Sequence, residues 1–115
     1  MKALRLVLLG EVHPAVVTDA DFEAVDGLRL DSELIEAAGF VEFEKVEVYD
    51  LSNGSRLSCQ LRAGKSGEVT VCGATALLIK PGGRITIASY GWMKEKAASK
   101  HEPSLVRVND ENKVG

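Results

Sequence analysis

Hydrophobic and polar residues alternate with a period of two through much of this chain. Lys45-Val46-Glu47-Val48-Tyr49-Asp50 sets Val46 and Val48 on one face and charged groups on the other. Arg56 to Arg62 does the same with Leu57, Cys59 and Leu61. Glu68–Cys72, Arg84–Ser89 and Ser104–Val108 repeat the pattern. Each predicts a half-buried strand, because successive side chains of a strand point to opposite faces. Turn chemistry separates the strands. Asn53-Gly54 tolerates positive φ and predicts a hairpin between Val46–Leu51 and Arg56–Leu61. Gly64-Lys65-Ser66-Gly67 and Lys80-Pro81-Gly82-Gly83 predict two further turns.

The helical signals are short. Asp31 can cap a helix over Ser32–Ala38, with Leu34, Ile35 and Ala38 inward and Gly39 as a left-handed terminator. Ala74–Ile79 makes one or two turns before Pro81. Met93–Lys100 is a third candidate whose only large anchors are Trp92 and Met93. Many short strands at close spacing, with two or three short helices, predict a mainly β fold closed into a small barrel. The polar tail Asn109–Gly115 is expected to fray.

The opening Met1–Gly10 reads as a strand. Its apolar run, Leu6–Leu9, is too short for a signal peptide or a bilayer span, and Glu11 follows closely. A length of 115 residues favours one domain, and so short a chain makes oligomerisation the default. Net charge is −3 with no basic cluster, which argues against nucleic-acid and anionic-membrane partners. Two cysteines make neither a disulfide scaffold nor a zinc site, so reduced thiols in the cytoplasm and no metal are expected.

A longer pattern runs from Val17-Thr18-Asp19-Ala20-Asp21-Phe22 through Asp26-Gly27-Leu28 to Ser32–Gly39. It resembles the front half of the pyruvoyl-dependent aspartate 1-decarboxylases. Glu44–Leu57 resembles that family's central hairpin, Cys72-Gly73-Ala74-Thr75-Ala76 its Asn-Gly-Ala-Ala-Ala turn, and Pro81–Tyr90 and Glu102–Val106 its last strands. No single piece is specific; their order and spacing together are. The resemblance implies a double-psi β-barrel over residues 1–108, with 109–115 as a tail. It also implies a homotetramer with active sites between subunits.

In that family a Gly-Ser pair cuts itself, and the serine becomes the pyruvoyl cofactor. Here the pair is Asp26-Gly27, followed by Leu28, a degenerate processing site without a hydroxyl. His13 and Arg56 keep family residues, the second being the arginine that meets a substrate carboxylate. The family's lysine is Glu11, its cleavage-assisting threonine Cys59, its tyrosine proton donor Gln60, its asparagine Cys72 and its upstream tyrosine Ala24. Self-cleavage needs a nucleophile that Gly27 lacks. Aspartate decarboxylation needs an electron sink that no ordinary side chain supplies.

The resemblance therefore implies a family member that does not self-process and carries no cofactor. Glu11, His13, Cys59 and Cys72 are its candidate catalytic groups; Arg56, Gln60, Gly73 and Ala74 are its candidate substrate contacts. Replacing a lysine by Glu11 inverts the local charge. One misplaced charge at ~4 Å and an effective dielectric near 20 is worth about 4 kcal/mol, enough to reject dianionic aspartate. A mono-anionic or carbonyl-bearing metabolite fits better, with acid–base cyclisation, isomerisation or elimination in a specialised pathway. A non-catalytic, regulatory paralogue is the alternative, and residual aspartate decarboxylation to β-alanine a third.

Plainer readings stand beside these. Arg56 can pair with Asp50 across its hairpin. His13, before Pro14 in an apolar neighbourhood, can be structural. Glu11 can be an edge charge that blocks aggregation. Both cysteines can be small buried hydrophobes rather than a thiolate activated by His13 or Arg56, or a disulfide across the cleft.

Overall fold

A computed structural model describes residues Ala3–Gly115; Met1 and Lys2 of the expected first strand lie outside the described residues. The chain is mainly β, with eight strands and three short helices. The strands pair in the order β2-β6-β3-β5-β4-β7-β1-β8. They are β1 (Leu4–Val16), β2 (Asp19–Asp21), β3 (Gly27–Asp31), β4 (Lys45–Asp50), β5 (Arg56–Gly64), β6 (Val69–Cys72), β7 (Arg84–Lys94) and β8 (Ser104–Arg107). Parallel contacts β1–β8, β2–β6 and β3–β5 mix with antiparallel ones, an arrangement consistent with the double-psi barrel of aspartate decarboxylases.

The Asn53-Gly54 hairpin forms as its sequence predicts. Lys45 faces Gln60 and Tyr49 faces Arg56, and Gly54 takes φ +76°. Helix α1 (Ser32–Ala38) starts where Asp31 accepts from the Glu33 N–H at 2.9 Å, and Gly39 ends it at φ 72°. A cap of this kind is worth ~1 kcal/mol. Leu34, Ile35 and Ala38 are buried, joining a core built from Val12, Leu28, Leu30, Val46, Val48, Leu61, Ile85 and Ile87.

Several expectations need correction. Helix α2 is only Thr75–Leu78; Ala74 precedes it and Ile79 is already extended. The third helix, α3, is only Glu95–Ala98, and Trp92 and Met93 belong to β7 instead. β6 and the first half of β7 are not half-buried: Val69–Cys72 and Ile85–Ser89 are buried on both faces. The tail does not fray. Asn112 is 1% exposed, accepts from the Val16 N–H at 2.7 Å, and donates to the carbonyls of Val16 and Gly67. Lys113 adds an ion pair to buried Asp31 at 3.0 Å.

Beyond Leu9 and Tyr90 the chain's first and seventh strands run on as a two-stranded arm, Leu6 opposite Trp92 and Leu4 opposite Lys94. Leu4, Leu6 and Trp92 are each more than half exposed.

Candidate functional site

Alternation along β5 sends Leu57, Cys59 and Leu61 into the core and leaves Arg56, Ser58, Gln60 and Arg62 on the outer face. Register carries that face across the sheet. Ser58 faces Glu47, Glu47 faces Ala88, and Ala88 faces Glu11. Of the sequence-derived site residues, Glu11, His13, Arg56 and Gln60 thus share one surface, but not one point. From β5 to β1 is three strand steps, ~14 Å at the usual spacing.

The first group stands at the head of β3. Gly27 opens that strand in register with Cys72 of β6. Its φ of +145° suits only glycine, and a Cβ built there would lie 2.5 Å from the Gln60 carbonyl oxygen. Two contacts hold the preceding residue. Gln60 Nε2 donates to the Asp26 carbonyl at 3.2 Å. The Asp26 carboxylate accepts from the Thr75 N–H at 2.9 Å and from its hydroxyl at 3.0 Å. Gly73 is required beside it: a Cβ there would meet the Asp26 backbone at 2.8 Å, and its φ is +60°. Ala74, one residue on, is exposed. Leu28 points the other way, fully buried.

The two cysteines separate. Cys59 belongs to the core cluster, whereas Cys72 lines a small cavity beside Gly27, Arg29 and Arg62. Both are free thiols. Burial pushes the Cys59 thiol up to about 11, and the neighbouring Thr75 hydroxyl offsets this only in part. Burial raises Cys72 as well, against the pull of Arg29. Neither is a thiolate at neutral pH, so the activated-thiolate reading finds no support in this environment.

The second group lies on β1. His13 Nε2 stands 3.7 Å from Glu11 Oε1, two residues apart on one strand face, both partly exposed. The His13–Pro14 peptide is cis. Glu11 is no edge charge: at this point β1 is paired to both β7 and β8. His13 keeps polar company rather than an apolar niche.

Arg56 stands apart from both groups. Its guanidinium stacks over the Tyr49 ring at 4.2 Å, and the Tyr49 hydroxyl shares a 2.8 Å hydrogen bond with that of Tyr90. Burial and that bond push the Tyr49 phenol up to about 12. The expected pair with Asp50 does not form, because Asp50 is buried and accepts from the N–H and hydroxyl of Ser52. The sequence reading overlooked Tyr49, Tyr90, Thr75 and Arg62. Tyr49 was legible, being directly opposite Arg56 in the predicted hairpin. Among the described residues no cluster of His, Cys, Asp or Glu could hold a metal ion, and no helix is long and apolar enough to cross a membrane.

The mixed parallel and antiparallel order of these eight strands, with three short helices, is consistent with the class of aspartate-decarboxylase-like barrels. Residues 3–115 match the profile of the aspartate decarboxylase family. The aspartate 1-decarboxylase of Clostridium beijerinckii is 41% identical over 110 residues, covering 94% of this chain and 89% of that one. That of Bacillus subtilis is 37% identical over 112 residues (96% and 88%), and that of Campylobacter concisus 39% over 108 (94% of each). The chain belongs to the aspartate decarboxylase family.

Proposed function

We propose that this protein is a family member that stays an uncut chain and acts without a pyruvoyl group, on a small carboxylate- or carbonyl-bearing metabolite. Position 27 carries the reading. A glycine at φ +145°, with the Gln60 carbonyl where a side chain would go, does not fit a residue that is to become a pyruvoyl group. Ser32 begins a helix at the far end of β3, too distant to replace the missing nucleophile.

The chemistry left is acid–base. Glu11 and His13 offer a carboxylate and an imidazole side by side, both reached by solvent. Arg56 is a permanent cation whose face is already held by Tyr49, which leaves its N–H edge for one carboxylate. Gln60, Gly73 and Ala74 would border the substrate near Gly27. Because the β1 group and the β3 group are four strand steps apart across one sheet, ~19 Å at the usual spacing, a small substrate touches both only if a second subunit supplies one of them. The apolar arm bearing Leu4, Leu6 and Trp92 supports that reading, since so much exposed apolar surface on a short chain favours burial against another copy. The assembly proposed is the homotetramer with intersubunit sites that the family resemblance implies. A cytoplasmic location and a place in a specialised biosynthetic route complete the proposal.

Decarboxylation of aspartate to β-alanine is the second reading, and the identity of 37–41% to aspartate 1-decarboxylases favours it. One experiment separates them. Intact-mass measurement of the purified protein should give a single uncut chain, and incubation with aspartate should give no β-alanine. Two fragments, or β-alanine formed at the rate of a true decarboxylase, would overturn the first reading.

A further inference from the structure

Tyr49 of β4 and Tyr90 of β7 carry two hydroxyls that the acid–base chemistry of Glu11 and His13 leaves unused. They lie on either side of the register pair Glu47–Ala88, on the outer face, and their hydroxyls meet at 2.8 Å. The rings lean together over Ala88, which is fully buried although its alternation turns it outwards. Ala88 is also the register partner of Glu11. The phenol pair therefore stands between Arg56 on β5 and Glu11 on β1, in the middle of the strand steps that separate them.

Each phenol brings one proton and can also accept. One shared hydrogen bond uses one of the two protons and leaves the other free to point outwards. Among the described residues neither hydroxyl has a further hydrogen-bond partner. Burial, followed by the bond to Tyr90, pushes the Tyr49 phenol up to about 12. Arg56 pulls the other way without outweighing them, and Glu47, on the same face, adds to the rise. The Tyr49 phenol thus stays protonated at neutral pH. Arg56 lies over the Tyr49 ring at 4.2 Å, so its N–H edge and the phenol oxygen are about two hydrogen-bond lengths apart. One small molecule can touch both.

We propose that the outward phenol proton serves beside Arg56 as a second donor, and that the two together select a carboxylic acid bearing a hydroxyl or carbonyl oxygen on the first or second carbon from its carboxylate. This rests on the Arg56 carboxylate contact proposed above and adds the class of acid it accepts. The Arg56 fork takes both oxygens of a carboxylate in two parallel hydrogen bonds. The phenol proton then needs an acceptor of its own, which a plain alkyl acid lacks. That extra hydrogen bond is worth roughly three- to tenfold in affinity.

The test is a titration of the full chain followed by amide and arginine Nε–H NMR. The probes are propionate, 2-hydroxypropionate and 3-hydroxypropionate. All three should shift the Arg56 side-chain signal saturably, with Kd values on the order of 1–10 mM. At least one hydroxy acid should bind about threefold or more tightly than propionate. The double variant Tyr49→Phe with Tyr90→Phe keeps both rings and removes both hydroxyls. In it that advantage should vanish while propionate still binds within about twofold of the unaltered chain, a selective loss that a disturbed structure would not produce. The amide spectrum checks that the variant is folded. Equal binding of the three acids to the unaltered chain, or a preference that survives the double substitution, would overturn the proposal and leave the Arg56 contact standing. If no acid reaches Arg56, that contact fails, and this proposal with it.

Discussion

Gln60 holds the carbonyl of Asp26: its side-chain amide donates to that oxygen at 3.2 Å, across the junction between β5 and the start of β3. The family resemblance implies that this carbonyl is the one a serine attacks in self-processing members. Here the carbonyl is gripped, Gly27 follows it, and the Asp26 carboxylate is tied to Thr75 on the other side.

Restoring a serine should therefore not restore processing. Gly27→Ser puts a Cβ 2.5 Å from the Gln60 carbonyl at a φ of +145°. The strain should cost ~2–3 kcal/mol of stability. The expected outcome is a lower urea midpoint, a single uncut mass and no β-alanine. A cleaved Gly27→Ser chain would show that the surrounding loop rearranges freely.

Asp26→Ala removes the acceptor of two Thr75 hydrogen bonds and leaves the buried Thr75 hydroxyl unpaired. A loss of ~1–3 kcal/mol follows, read by chemical denaturation. Asp26→Asn keeps one acceptor oxygen and should lose less.

Cys59 predicts an alkaline weakness. Its folded value, about 11, lies above that of an unfolded thiol. A group whose folded value is raised gives stability that is full below the unfolded value and is lost as pH climbs through the folded one. Stability should fall between about pH 8.5 and 11, by roughly 2–3 kcal/mol for this thiol. Urea unfolding at several pH values checks this, and Cys59→Ala should flatten the slope. Alkylation at pH 7.5 should be slow for both thiols until urea is added.

The docked tail predicts the opposite edge of the pH range. Burial alone would raise the Asp31 carboxyl, but the N–H groups of Gly67 and Glu33 and the Lys113 ammonium outweigh it and hold it below the usual range. A depressed carboxyl gives stability that is present above the unfolded value and lost as pH falls through the folded one, here below about pH 4. Asn112→Ala should cost ~2–4 kcal/mol at neutral pH, since it strips partners from Val16 and Gly67 together. Lys113→Met should raise the pH at which acid unfolding begins.

The exposed arm predicts assembly. Trp92→Glu together with Leu6→Glu should shift sedimentation towards the monomer while leaving the amide spectrum of the barrel folded. An oligomer unchanged by both substitutions would place its contacts elsewhere.

Legibility in the sequence followed exposure. The Asn53-Gly54 hairpin and the Asp31–Gly39 helix were readable because their signals are local: a positive-φ turn, a cap and a terminator. Strands β2 and β3 left no periodic trace, since Gly27–Asp31 is buried at nearly every position. The helix expected at Met93 fails because Trp92 and Met93 serve a strand paired to residues far away in sequence. Asn112 looked like a tail residue because its three partners lie in distant loops and strands. At the site, Glu11, His13 and Gly27 were legible only through the family pattern. The Arg29–Arg62 pairing was not legible, because register between distant strands supplies it.

Register also decides when this molecule can be finished. Strand β1 ends at Val16, yet its partners β7 and β8 begin at Arg84 and Ser104. Until those segments leave the ribosome, β1 has both edges unpaired. Contacts so distant in sequence make for slow closure and an aggregation-prone nascent chain. Strand β1 is made before either of its partners and so is among the last elements to find its place.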